Sequence, residues 1–288
     1  MTTTLERTPD SASSAGPIVA GPARRQTLGR AIRAEWIKIR SLRGTWIGMA
    51  AAAVVMIGFG AIASAVSSGS IASPDGGDGP GPFGDTGPLS TVLTGSTFAV
   101  LLIGVLGSLA GAREYGSRMI VATVASVPRR WQVVVAKTVA LAFVVVPTAL
   151  VAVIGAYSAG MGILSANGAA TVSLNDDGVL TSLLGMVGYL AAIALLGLGM
   201  GVLLRNVAGT IGVVVGGIMI LPNIAGALLP DSWDTALRFL PSSAASAFTE
   251  VGAAGGSTLS AGAGVAVLAA WVVAALVAAM ATMHRRDV

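Results

Sequence analysis

VVVAKTVALAFVVVPTALVAVIGAY, residues 133–157, runs for twenty-five positions with one charged side chain, Lys137, near its start. A helix rises about 1.5 Å per residue, so roughly 20 apolar residues cross the roughly 30 Å of hydrocarbon in a bilayer. Lipid offers no partner to an open backbone amide, so such a run reads as a transmembrane helix. Lys137 lies one turn inside it, where its long stem is expected to snorkel to the interface. Outward from this run, five more stretches meet the same criterion: 46–66, 91–112, 179–204, 207–229 and 259–283, none with a charged residue. The composition agrees. Of 288 residues 54% are hydrophobic and 10% charged, and the mean hydropathy of +0.83 lies outside the balance of a soluble domain. The fold class is therefore all-α integral membrane, with six spans.

The charges between the spans set the topology. Sixteen of the seventeen Lys and Arg residues fall on one side: eight before the first span, five from Arg113 to Lys137, Arg205 between spans four and five, and Arg285 and Arg286 at the end. Only Arg238 falls on the other side, which holds eight of the thirteen acids. The positive-inside rule then places both termini in the cytoplasm of a multi-pass cell (cytoplasmic) membrane protein, with three loops outside. No apolar core of secretory-leader length precedes Trp46, so the first span is expected to act as the insertion signal.

Residues 1–27 are rich in Ser, Thr, Pro and Gly and read as a disordered cytoplasmic tail. Residues 28–43 read as an amphipathic helix suited to the inner leaflet: Leu28, Ile32, Trp36, Ile39 and Leu42 recur at helical spacing among Arg30, Arg33, Lys38, Arg40 and Arg43. The alternative there is a plain basic tail. Residues 44–288 form the membrane domain. Outside, 67–88 reads as an irregular Gly, Pro and Asp tether. In the segment after Pro230, Asp231 or Ser232 is placed to cap one short helix ending near Pro241, and Ser242 to cap another. These are either re-entrant or interfacial helices before the last span, or an ordinary amphipathic loop. GxxxG spacings at Gly107 to Gly111, Gly197 to Gly201 and Gly212 to Gly216 read as helix packing. Pro147 and Pro222-Asn223 are expected to kink or interrupt their helices.

Much chemistry is excluded. There is no cysteine, hence no disulfide framework, zinc finger or thiol nucleophile. The two lysines follow Ile37 and Ala136, so no Gly-Lys-Ser/Thr phosphate cradle exists, and His284 has no companions for a metal site or a triad. No catalytic, cofactor or metal site is expected in this chain, and no nucleic-acid partner. The span interiors lack the Asp, Glu, Arg or His through which gradient-driven carriers sense an ion. A transporter built this way must draw its energy from a partner that hydrolyses nucleotide. Passive conduction as an autonomous channel or facilitator, and a non-transporting membrane anchor, are the alternatives.

The connection between spans two and three, REYGSRMIVATVASVPRRWQVVVAK (113–137), pairs Glu114 with Arg118 at helical spacing. It lays Met119, Ile120, Thr123, Val124 and Val127 along one stripe, stops at Pro128 and marks the membrane face with Arg129 and Arg130. The run resembles the signature of ABC-2-type transporter permeases: an acid ending span two, a Gly-Ser step, a short helix, Pro-x-Arg, and a Lys opening span three. These fall on Glu114, Gly116, Ser117, Pro128, Arg130 and Lys137. AEWIKIRSLRGTW (34–46) is similar to that family's leading helix, and the six-span count fits.

What the resemblance implies is one permease of an ATP-driven exporter with an ABCG-like helical fold. A second permease copy would complete the path, a homodimer ahead of a heterodimer. Two separate ATP-binding subunits, carrying the ATP and Mg that this chain lacks, would dock on its inner face. The candidate coupling residues are Arg113, Glu114, Tyr115, Gly116, Ser117, Arg118, Pro128, Arg129 and Arg130. On the leading helix they are Glu35, Trp36, Lys38, Arg40 and Arg43. The lipid bilayer is the remaining partner.

Overall fold

The structure, a computed structural model, describes residues 27–71, 87–117, 119–120, 129–250 and 259–285. The tail before Thr27, most of the 67–88 tether, Arg118 and the stretch 121–128 lie outside them. The described chain is helical: α1 (Leu28–Ser41), α2 (Arg43–Ser67), α3 (Pro88–Val92), α4 (Ser96–Gly116), α5 (Arg130–Ala166), α6 (Val179–Leu204), α7 (Val207–Val215), a π-helical turn (Gly216–Ile220), α8 (Leu221–Leu228), a 3-10 turn (Asp231–Trp233), α9 (Asp234–Leu237), α10 (Pro241–Thr249) and α11 (Ala261–Arg285). Five of these, α2, α4, α5, α6 and α11, are long and apolar enough to cross a membrane.

The sequence boundaries hold best where backbone signals are strong. α6 begins after Gly178 at φ 84° and ends at Arg205 at φ 54°, both left-handed. Asn206, extended, then caps α7 by accepting from the amide of Gly209 at 3.0 Å. α5 is 37 residues long, well past the expected end at Tyr157. Ser158–Ala166 carries no charge or proline to stop it, and the helix ends only where Gly168 turns to φ 69°. It stays helical through Pro147, which leaves the Phe143 carbonyl without its amide partner.

The expected fifth span, 207–229, departs most. It is helical from Val207 to Leu228 but in two α-helical pieces joined by the π turn. Gly216 and Gly217 offer no side chain to resist the wider turn, and Pro222 withdraws the amide that would bond the Ile218 carbonyl. Past it, Ser242 does not cap. Pro241 takes the first helical position of α10, which its fixed φ favours, and draws Ser242 inside, where its hydroxyl is buried without a partner. α10 packs against α11 and α6, and Trp271 donates its indole N–H to the Phe239 carbonyl at 2.9 Å.

The central contact is α4 against α6. Two of the three GxxxG spacings face each other across it. A Cβ on Gly107 would overlap the Ala194 carbonyl, and one on Gly111 the Leu198 carbonyl. Cβ atoms on Gly197 and Gly201 would come within 2.7 Å and 2.8 Å of the Gly104 and Ser108 carbonyl oxygens. Gly212 and Gly216 meet nothing within 4 Å, so the third spacing is not a packing face within this chain. Around the contact the larger of two apolar clusters runs from Met49 and Met56 through Ile103 and Val145 to Leu190 and Ile193.

Candidate functional site

Both lysines of the chain meet at one end of the bundle. Glu35 and Lys38 are three apart on α1 and share a face, at 2.7 Å. Lys38 also reaches Glu114, in the last turn of α4, at 2.9 Å. From α5, Lys137 reaches Glu114 at 2.6 Å and Glu35 at 3.0 Å. Two carboxylates and two ammonium groups thus close a ring in which each acid touches both bases. Glu35, Glu114 and Lys137 are buried. An isolated ion at such a place costs several kcal/mol in desolvation, which only close pairing offsets. The ring is therefore possible only while three helices, from distant parts of the chain, stand together.

The local sequence explains the placement. Leu42, in extended backbone, is the single residue between α1 and α2, so α1 folds back against the bundle instead of continuing into it. Its inward face carries Ala31, Glu35 and the half-buried Trp36 and Ile39. The Trp36 ring stands edge-on to Phe143 of α5, centroids 5.1 Å apart at 88°. Lys137 does not snorkel to the interface as its position near a span's start suggested. The acids of α1 and α4 supply a nearer counter-charge, and they hold it inside.

Lys38 is the one member partly open to solvent. Burial works against its charge, but the bonds to Glu35 and Glu114 outweigh that and hold its ammonium above the ordinary 10.5. Its stabilising contribution is therefore complete below 10.5 and is lost only as pH rises through the higher folded value. A fluorophore on a cysteine placed by Arg40→Cys, unique in a chain without cysteine, should report an unchanged seating of α1 from neutral pH to about 10 and release above the ordinary lysine value. Release beginning near pH 8 would exclude Lys38 as the titrating clamp.

The other expected coupling residues spread around the ring. Arg113 is exposed one residue before Glu114. Gly116 ends α4 and Ser117 follows it, exposed. Arg129 precedes α5 and is exposed, while Arg130 donates to the Met283 carbonyl at 2.8 Å and so closes the end of α11. Arg40 and Arg43 are exposed on the last turn of α1 and the first of α2. Arg118 and Pro128 are outside the described residues, as is most of the short helix expected between them. Ile120 is described and buries against Val133, Val134, Val202 and Met283. Glu114, read as an outward contact, instead faces inward.

Arg205 is a further residue here that appeared in the sequence only as a charge. Its guanidinium lies 5.2 Å from the Tyr115 ring centroid. Its Nε and Nη2, and the Tyr115 hydroxyl, are buried without a hydrogen-bond partner. A lone charge in a two-residue connection between apolar helices was the available signal. Beside the ring, α1, α2, α4 and α5 border a cavity of about 440 Å3.

A protein-family model described as ABC-2 family transporter protein matches residues 31–223, from the second turn of α1 into α8, and includes all four members of the ring. The search of curated proteins and the search of solved structures gave no match.

Proposed function

Because the chain belongs to the ABC-2 family of transporter proteins, a membrane component rather than a catalyst, we propose that it is the permease of an ATP-driven exporter. In this reading two separate ATP-binding subunits dock on 113–130 and on α1, and a second copy of the chain completes the path. The observation that carries it is the buried ring. It ties the leading helix to the ends of α4 and α5, on either side of the connection, so force applied there reaches two spans at once. An ion-driven carrier would instead need an Asp, Glu, Arg or His deep in its spans, and the charged residues of the described spans lie toward the ends.

The same reading counts six crossings. The helical run from Val207 to Leu228 holds 22 residues, about 33 Å of helix at 1.5 Å per residue. The ring end is then cytoplasmic, as the distribution of Arg and Lys requires, and the Asp231–Thr249 segment shields the outer mouth. α1 lies along the inner leaflet with its exposed Ile37 toward lipid, and the exposed Trp46 in the first turn of α2 faces lipid too.

The test is capture of an ATP-binding subunit encoded beside this chain by the purified full-length permease. The expected result is a stable complex whose ATPase rises with the permease present. Charge reversal at Arg113 and Arg129 together should weaken capture about tenfold or more, about 1.4 kcal/mol. Solute flux through the chain alone in liposomes, with no such subunit, would overturn the reading in favour of a passive facilitator.

A further inference from the structure

The cavity beside the ring changes character along its length. At one end stand Lys38, Ser41, Arg113 and Ser117 with the ring acids Glu35 and Glu114; toward the other, Leu106, Leu109 and Ala110 of α4 line it, with Leu141 of α5. Leu106 and Ser117 are eleven residues apart on or just past one helix, about 16 Å at 1.5 Å per residue. At about 440 Å3 it lies in the size range of small-molecule sites. Among the described lining residues the ring sets two acids against two bases, so Arg113 gives the polar end a surplus positive charge. Arg113, Ser41, Gly44 and Ser117 are exposed, which leaves that end accessible.

From this polarity gradient and charge we infer that the cavity seats an anionic phospholipid of the inner leaflet. Its phosphate lies at Arg113, and an acyl chain runs past Leu109 toward Leu106. A soluble anion would satisfy the cation but leave the apolar end empty. A zwitterionic lipid would fill the apolar end without answering the surplus charge. Such a lipid would wedge between α1 and α4, so the seating of the leading helix would depend on membrane composition. The inference rests on the permease reading for the side of the bilayer alone.

The experiment is native mass spectrometry of the full chain in detergent, with phosphatidylglycerol and phosphatidylcholine of the same acyl chains at equal concentration, and glycerol 3-phosphate separately. The anionic lipid should be retained over the zwitterionic one by about fivefold, the factor one juxtamembrane cation supplies. Arg113→Gln should bring the two to parity. Ala110→Trp, which fills the apolar end, should remove the retained lipid. Arg238→Gln, a control at the other end of the molecule, should leave the preference intact. Parity in the unaltered chain, a preference that survives Arg113→Gln, or glycerol 3-phosphate bound as tightly as the lipid would each overturn the proposal. None of these readouts involves an ATPase, so failure here leaves partner capture standing, and failure of capture leaves lipid retention standing.

Discussion

Lys137→Met should unseat α1 and cost the protein about 3–5 kcal/mol, the range for removing one partner from a buried ion pair. Methionine nearly matches the lysine stem in shape, so the loss is almost purely of charge. Within the ring, Glu35 and Glu114 then face one ammonium, that of Lys38, so the ring's own charge turns from neutral to negative where Glu114 is 7% exposed. Glu114→Leu makes the opposite error, leaving the ring two ammonium groups against one carboxylate. Combining Lys137→Met with Glu114→Leu restores neutrality, because Glu35 and Lys38 can still pair within α1. The double variant should therefore recover stability well beyond the sum of the single losses, a coupling of about 1.5 kcal/mol or more. Denaturant unfolding in detergent, with tryptic cutting at the exposed Arg33 and Arg40, reads both effects. If the ring carries force, the refolded double variant should nevertheless lose partner-stimulated transport, because α1 is no longer tied to α4 and α5. Full transport by that variant would reduce the ring to a folding device.

The ring also shows what a sequence can and cannot disclose. The spacing of Glu35 and Lys38 makes their pairing legible within one helix, and the resemblance placed Glu114 and Lys137 in one signature without pairing them. That all four meet was not legible, since Lys137 is 102 residues from Glu35 and 23 from Glu114. A single-helix reading of Lys137 compares lipid with interface and chooses snorkelling. The counter-charge that reverses the choice lies on other helices. Arg205 escaped for the same reason: its partner, Tyr115, is ninety residues away. Boundaries followed local chemistry. Gly178 and Asn206 fixed the ends of α6 and the start of α7, whereas α5 overran Tyr157 because only Gly168 could stop it. In the fifth stretch the apolar run matches helical residues from Val207 to Leu228, but it is not one of the five span-length helices, and period and composition do not register its π turn.

Gly107→Leu should be as damaging as loss of the ring, by a different mechanism. The Cβ alone would overlap the Ala194 carbonyl, and the neighbouring Gly111 is equally close to that of Leu198. Overpacking of a flexible side chain is relieved by a change of rotamer, at about 1–3 kcal/mol. Here the obstacle is backbone, so relief requires the two helices to separate, and the cost should reach or exceed the top of that range. Separation would also uncover Gly104, Gly197 and Gly201, which lock the same contact from both sides. Without the hydrophobic effect between helices in lipid, close backbone approach supplies much of what holds spans together. Gly212→Ala provides the control. It belongs to the same kind of spacing but has nothing within 4 Å, so it should be neutral or stabilising by about 0.5–1 kcal/mol through helix propensity. Both variants are read by thermal unfolding in detergent. Equal effects at Gly107 and Gly212 would mean that glycine content, and not this one interface, sets the stability of the bundle. A large loss confined to Gly107 would place the mechanical hub of the permease between α4 and α6, about two turns from the ring through which its partner is proposed to act.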